Sequence, residues 1–358
     1  MLRTVWGIRV ERRLDIPRRT SAAISGLLIL LSFVVASAVF EILGVNSVRT
    51  LSTIVSVFLS PSSLLQAILR GMPIGLAALG LSIAFRMNFW NIGAEGQLYM
   101  GMFAATGMVL LHAYYGAIPE QLLFITMILA SFISGGLYCT LPGFLKSKLG
   151  VNEILPTLML NYVAILFVDF LVYGPWRDPK GFSFPLSIPF PDYARMDGFF
   201  GNSSYLGLMI AIIVAALVYG LMRWTTLGFE LRLVGQNVDA AKYGGVNLLK
   251  TTLIGSFLAG GLAGIGGLII VSGLIGRLRP RASPGYGYTA IIVAFLAGLN
   301  PWLIVPAAIF FGGLLVAGEA IQATLNLPVA AVQVFQAIIF LMIIVAEFFK
   351  RYRVTFKR

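Results

Sequence analysis

The sequence predicts an all-α polytopic membrane protein, and three observations carry that expectation. Apolar residues make up 58% of the 358-residue chain and charged ones only 11%, with a mean hydropathy of +0.91, a balance foreign to soluble domains. Apolar runs such as Ala22 to Leu43 and Ala330 to Phe349 reach the ~20 residues that a helix rising ~1.5 Å per residue needs to cross the hydrocarbon. The runs do not alternate in polarity, as strands of a membrane barrel would.

Taken in order, the apolar segments give about ten transmembrane helices. The first runs from about Ser21 to Leu43; the Ala36-Ser37-Ala38 string resembles a signal-peptide cleavage site, but the apolar run continues past it, so the helix is read as retained. The second, about Leu64 to Phe85, contains Gly71, Pro73, Gly75 and Gly80 and is expected to be broken or kinked where protein or a wet cavity covers it. A short third, about Gln97 to His112, precedes a fourth from about Gln121 to Leu141 and a fifth from about Ile154 to Tyr173. Gly174 to Ser204 then forms an external connection rich in proline, and the sixth span covers about Tyr205 to Met222. The seventh, about Thr251 to Ser272, carries Gly255, Gly260, Gly261, Gly264, Gly266 and Gly267, a composition for close helix approach or local unwinding. Spans eight (about Tyr288 to Leu299), nine (about Leu303 to Gln322) and ten (about Val329 to Phe349) complete the set.

Charge sets the orientation. The formal net charge is +12, concentrated in residues 1–20 (Arg3, Arg9, Arg12, Arg13, Arg18, Arg19) and 350–358 (Lys350, Arg351, Arg353, Lys357, Arg358). By the positive-inside bias both are cytoplasmic basic tails flanking a single transmembrane domain over 21–349, and this placement argues against nucleic acid as the partner. Arg277, Arg279 and Arg281 are the exception, falling outside. In this topology spans 2–5 start outside and spans 7–10 start inside, so the two groups would form an inverted repeat with a pathway at their interface.

The single cysteine, Cys139, and single histidine, His112, exclude a disulfide framework and a metal cluster. Cys139 reads as a small helix-packing residue and His112 as an interfacial one. No G-x-x-x-x-G-K-[ST] string occurs, so the chain has no ATP-binding P-loop of its own, and no Ser/His/Asp set argues for a hydrolase. Intramembrane acids are few, although Asp169, Glu319 and Glu347 leave a proton-driven transporter open.

Four passages concentrate the remaining polarity. In FRMNFWNIGAEGQ (Phe85 to Gln97), Asn88, Asn91, Glu95 and Gln97 lie among aromatic rings and glycines. A carboxylate at this depth costs ~2.5 kcal/mol or more unless compensated, so Glu95 should meet a wet cavity, a base such as Arg86, or the interface. Amides beside rings suit a polar ligand with a flat face; an interfacial turn anchored by Trp90 is the plainer alternative. In GVNEILPTLMLNYV (Gly150 to Val163), Asn152 can cap a helix, Glu153 complements its dipole, and Asn161 lies two turns deeper, needing a substrate or a neighbouring helix as partner. In GYGYTAIIVAFLAGLNP (Gly285 to Pro301) a glycine-tyrosine turn containing Tyr286 opens a short span. Finally TLGFELRLVGQNVDAAKYGGVN (Thr226 to Asn247), inside the polar loop 223–250, reads as a water-facing helix pair, capped by Asn237 or Asp239 and ended at Gly244-Gly245. Leu231, Val234, Val238, Ala241 and Tyr243 would offer apolar contacts among its charges, which points to a cytoplasmic protein partner or, failing that, to a loop lying on the membrane surface.

Together these strings resemble one family, the permease subunits of binding-protein-dependent ABC importers in the branch for simple sugars and nucleosides, and most of all those served by basic-membrane-lipoprotein receptors. Over about Gly71 to Phe349, the family's Phe-Asn-Ile-Gly-Ala-Glu-Gly-Gln appears as Trp90-Asn91-Ile92-Gly93-Ala94-Glu95-Gly96-Gln97, with Trp90 replacing the usual Phe. Its Asn-Glu and Met-Leu-Asn-Tyr appear as Asn152-Glu153 and Met159-Leu160-Asn161-Tyr162, with Pro156 a departure between them. Its coupling segment maps onto Arg232, Val234, Gly235, Asn237, Ala240, Ala241 and Gly245, and Gly-Tyr-Gly-Phe-Thr-Ala-Ile onto Gly285 to Ile291.

The resemblance implies a transport subunit rather than an enzyme, multi-pass in a bacterial-type plasma (inner) membrane. Two permeases, often non-identical in this branch, would form the path, a P-loop ATPase carrying ATP and Mg would dock on the coupling loop, and a substrate-binding lipoprotein would deliver solute outside. No cofactor is expected in this chain, and membrane lipids are its other neighbours. Coupling would fall to Leu227, Glu230, Arg232, Gly235, Asn237, Asp239, Ala240, Ala241 and Gly245; the path to Asn88, Asn91, Glu95, Gln97, Asn152, Glu153, Asn161 and Tyr286. An ion- or proton-coupled secondary transporter, or a scaffold that moves nothing, are the alternatives that the residues leave open.

Overall fold

The computed structural model describes residues 47–181 and 184–325, together with strand residues in both tails and isolated helical positions near each end. Most of spans one and ten, with Glu347, lies outside the described residues. The chain divides into two units, 1–64 with 314–358, and 65–313.

In the first unit, β1 (Thr4–Val5), β2 (Ile8–Arg12) and β3 (Tyr352–Phe356) form an antiparallel sheet in that order, with Ile8 opposite Phe356 and Arg12 opposite Tyr352. The basic tails thus pair with each other through β2 and β3. A helix, α1 (Ser47–Leu59), precedes the larger unit.

The larger unit is built from helices. They are α2 (Pro61–Arg86), α3 (Ala94–Tyr115), α4 (Glu120–Leu149), α5 (Ile154–Tyr173), the short α6 (Asp197–Phe200), α7 (Ser203–Trp224), α8 (Thr226–Gln236), α9 (Val238–Tyr243), α10 (Leu248–Leu268), α11 (Tyr286–Leu296) and α12 (Pro301–Leu325). Among the described residues six helical stretches are long and apolar enough to cross a membrane: α2, α4, α5, α7, α10 with its continuation to Ile275, and α12. Their outer surfaces suit lipid: α5 exposes Leu155, Leu166 and Phe170.

Two helices differ from the sequence expectation. α2 is continuous through Gly71, Pro73, Gly75 and Gly80 rather than broken. Pro73 lies in a stretch, Gly71 to Ala84, that is buried throughout, and the glycines serve as contact points instead: a Cβ on Gly80 would stand 2.3 Å from the Ala259 carbonyl oxygen. The segment expected as a short third span is one helix, Ala94–Tyr115, longer than the Gln97 to His112 core of its apolar run.

The glycines of α10 allow the close approach that the sequence suggests, within a regular helix. A Cβ on Gly264 would lie 2.1 Å from the Ser131 carbonyl, so only glycine lets α4 and α10 approach this closely. Beyond Leu268 the helix widens into a π-helical segment, Ile269–Ile275, and stops at left-handed Gly276. Cys139 is buried against Gly260, the small packing residue that the sequence suggests. The proline-rich connection is ordered over its described part, with the Phe190 N–H donating to Gly276 O (2.8 Å) and the Ser187 N–H to Leu278 O (3.0 Å). His112 is held in the same region, its ring nitrogens 2.7 Å from Ile118 O and 2.8 Å from the Tyr193 hydroxyl.

Candidate functional site

Residues 87–93 break the helical path between α2 and α3, because Asn88 takes a left-handed φ of +55° and amides tolerate that conformation better than most side chains. The turn drops Asn91 into the protein, where its amide and that of Gln97 donate to each other reciprocally, both at 3.0 Å. Asn91 Oδ1 also accepts the Gly93 N–H at 2.9 Å. Both residues are essentially inaccessible, and so is Asn161 of α5. Asn161 Oδ1 accepts the Gly96 N–H at 2.7 Å, while its NH2 donates to Ile92 O (2.9 Å) and to the Tyr288 hydroxyl (3.1 Å). One amide thereby joins α5, the first turn of α3 and α11.

Glu95 is not paired with Arg86. It is 2% exposed, and its Oε2 accepts the Gly287 N–H at 2.7 Å, in the first turn of α11. The carboxyl group sits where a helix presents unpaired N–H groups and positive partial charge, so the cost of burial is offset by a dipole instead of a base. The approach requires glycine: a Cβ on residue 287 would lie 2.2 Å from the Glu95 nitrogen. Ser283, whose hydroxyl accepts the Tyr286 N–H at 3.1 Å, and Tyr99, whose hydroxyl lies 3.4 Å from the Ser283 nitrogen, complete this corner. Tyr286 itself is buried at the start of α11.

Asn152, Glu153 and Asn88 lie at the edge of the network. Asn152 lies one residue before the start of α5, whose N-cap position is Glu153, and accepts the Ile154 N–H at 3.0 Å across the entering turn. Glu153 does not serve the dipole of α5 alone: its carboxylate accepts the Trp90 N–H (2.8 Å) and pairs with Lys146 (2.6 Å). Partial burial pushes the Glu153 carboxyl up, but Lys146 and the Trp90 amide outweigh it and hold the group below the usual glutamate range. Asn88 is exposed, its carbonyl accepting from Lys146 Nζ and its side chain from Trp90 Nε1. Trp90, Phe85 and Phe295 stack on one another, with centroids 4.9 to 6.0 Å apart. Reading the sequence alone missed Thr157, whose hydroxyl accepts the Ile92 N–H at 3.3 Å, as well as Ser283, Gly287 and Tyr288. Each lies within or beside a polar passage already singled out, but nothing local reveals its distant partner.

Beside the same end of α2, α8 and α9 form an elbow. Thr225 starts α8 by accepting the Gly228 N–H at 3.0 Å; Asn237 ends it and starts α9, accepting the Asp239 (2.9 Å) and Ala240 (3.0 Å) N–H groups. Asn237, not Asp239, is therefore the cap. Gly245, at φ +78°, turns the chain back, and Asn247 caps α10. Leu231, Val234 and Ala241 are buried under the elbow, whereas Val238, Asp239, Ala240 and Tyr243 face outward, Tyr243 at 96% exposure. The apolar positions proposed as contacts thus divide between an inner and an outer face.

Several coupling candidates likewise face inward. Gly235 presses on the end of α2, where a Cβ would stand 2.0 Å from the Arg86 carbonyl oxygen, and Glu230 accepts the Thr251 hydroxyl of α10 at 2.9 Å. Leu227 and Arg232 are half-buried. The elbow is therefore fastened to α2 and α10 by its inner face and free on its outer face.

Comparison with known proteins identifies relatives. The glucose ABC transporter permease protein TsgB13 of Haloferax volcanii is 33% identical over 97% of this chain and 94% of its own length. The guanosine ABC transporter permease protein NupP of Bacillus subtilis is 29% identical over 76% of this chain and 78% of its own, and the nucleoside ABC transporter permease protein NupB of Lactococcus lactis is 30% identical over 67% of each. A family model for the permease component of branched-chain amino acid transport systems matches residues 63–346, which includes both the polar network and the elbow. The chain belongs to that family of membrane permeases.

Proposed function

We propose that this chain is the transmembrane permease subunit of an ATP-driven, binding-protein-dependent importer for nucleosides or simple sugars. The observation that carries the reading is the elbow, an exposed helical ridge held at both corners by caps and fastened to two long helices. The relatives handle glucose, guanosine and nucleosides by name, which supports that solute class over amino acids.

In this reading a P-loop ATPase, binding ATP and Mg, docks on the outer face around Asp239, Ala240 and Tyr243. Its motion reaches α2 through Gly235 and α10 through Glu230, and Leu227, Arg232, Asn237, Ala241 and Gly245 keep the elbow's shape. ATP binding then biases a two-state bundle, as a differential ligand must. Asn91, Glu95, Gln97, Asn161 and Tyr286 shape the path by joining α3, α5 and α11, and their hydrogen-bonding capacity is largely used within the protein; Asn88, Asn152 and Glu153 brace its rim.

The remaining organisation belongs to the same proposal: about ten spans as an inverted repeat, both tails cytoplasmic in a bacterial-type inner membrane, a second permease of the same or another sequence, and a substrate-binding lipoprotein outside. The paired tail strands support an even number of crossings. Uptake of labelled guanosine, glucose and leucine into vesicles, with the ATPase and receptor present or absent, tests it. Guanosine or glucose uptake requiring ATP supports the proposal, while uptake by this chain alone under an ion gradient replaces it with a secondary transporter.

A further inference from the structure

A cavity of about 730 Å³ lies beside the elbow, between the end of α2, the end of α7, α8 and the turn leading into α12. Three guanidinium groups line it, Arg86, Arg223 and Arg232, with Tyr219, Trp224 and Asn300. None of the three arginines has a carboxylate partner among the described residues, and no acid lines the cavity. Like charges gathered in one cavity repel, so a counter-charge among them would stabilise the arrangement.

The surroundings are shaped for that charge. Arg86 Nη2 donates to Leu299 O at 2.7 Å, which orients its guanidinium. That carbonyl is presented by consecutive left-handed residues, Gly298 at φ +58° and Leu299 at φ +60°, and the second is a strained conformation for leucine. Asn300 Oδ1 accepts the Trp302 N–H at 3.1 Å, which leaves its NH2 free to donate. The 25-residue α12 begins at Pro301 on the cavity wall, so its positive dipole end adds to the field.

The geometry points to a binding site for a phosphate-type anion in this cavity. Guanidinium forks match the paired oxygens of phosphate, and a cavity of this size accepts a whole phosphate-bearing group. Trp224 and Tyr219 are the amphipathic rings that favour the level of lipid headgroups, so the phosphate can belong to an anionic lipid or be free in solution. Either would tie α8 to α2 and α7 and stiffen the elbow. The inference holds whatever solute the chain carries.

The test uses the full chain purified in neutral detergent and in phosphatidylcholine nanodiscs. In the first arm it is exposed to phosphatidylcholine and phosphatidylglycerol together, and retained lipid is quantified by mass spectrometry after gel filtration. In the second, labelled inorganic phosphate is titrated by equilibrium dialysis in nanodiscs free of anionic lipid. The site should retain phosphatidylglycerol over phosphatidylcholine or bind phosphate saturably, with about tenfold weaker binding in Arg223→Gln, the loss of one charged hydrogen-bond partner. Arg223→Lys should recover part of it. Retention in the first arm alone assigns a headgroup; saturable phosphate that displaces the lipid assigns a free anion. Arg223 is exposed, so its variants are expected to fold, and Arg86→Gln serves as a second probe. Absence of both lipid preference and saturable phosphate binding overturns the site, as does unchanged binding in both Gln variants.

Discussion

Asn161 and Asn237 carry the same side chain and do opposite work. Asn161 is fully buried and joins three segments far apart in sequence, whereas Asn237 is exposed and organises only the backbone within three residues of itself. The contrast extends to their surroundings. The network around α3, α5 and α11 turns its polar groups toward each other, while the elbow of α8 and α9 keeps Asp239 and Lys242 on an exposed outer face. Buried polar groups must be satisfied within the protein, which makes the network rigid; an elbow fastened by its inner face keeps an outer face for another molecule.

The largest effect that would sharpen this contrast is Gly287→Val. The added Cβ has no space beside the Glu95 backbone, so the variant should lose about 3 kcal/mol or more and fail to accumulate as folded protein. Detergent-solubilised yield and thermal unfolding measure it, and a stable Gly287→Val protein would break the claim of close approach. Asn161→Ala comes next. It strands the Gly96 N–H and Ile92 carbonyl, for an expected loss of about 1–3 kcal/mol, whereas Asn237→Ala should cost about 1 kcal/mol as an exposed cap. Equal losses for the two in parallel unfolding would erase the distinction between the regions.

Glu153 supplies a pH test at the edge of the network. Its carboxyl is held below the usual value, so the unfolded chain binds the proton more readily, and the ion pair's share of stability is present at neutral pH. That share should disappear as pH falls below about 4.3 and through the folded-state value, and Glu153→Gln should remove this acid-side component. Unfolding curves of both proteins between pH 3 and 7, where a difference unaffected by pH would count against the pair, decide it. The smallest stability effect belongs to Tyr243→Ala, within about 0.5 kcal/mol because the side chain touches little. Under the proposed function the same change should still reduce recovery of the ATPase with the tagged chain; undiminished recovery would move the docking face away from the elbow's outer surface.

Local chemistry was legible in the residues. The capping amide at Asn237 and the turn at Gly244-Gly245 could be read because a cap and the N–H it receives lie within three residues. The fifth helix runs over Ile154–Tyr173, as its apolar run suggests. The polar passages were also visible, since amides and an acid stand out in apolar sequence. Their roles were less so: Glu95 was expected to seek a cavity or a base, because nothing near it announces an N–H group on residue 287. Similarly, Pro73 and its neighbouring glycines suggested a broken helix, and the surrounding protein allows a continuous one.

By itself, then, the sequence determined the membrane class, several of the long helices and the Asn237 cap, because hydrophobic length and hydrogen bonds over a few residues are local quantities. Tertiary structure decided which face of the elbow is free, which helices approach through glycine, and how the buried amides and Glu95 are satisfied. Those outcomes depend on backbone groups from segments far apart in the chain, such as the Gly287 N–H that meets Glu95 across 192 positions. Only the packed bundle brings those groups within hydrogen-bonding distance.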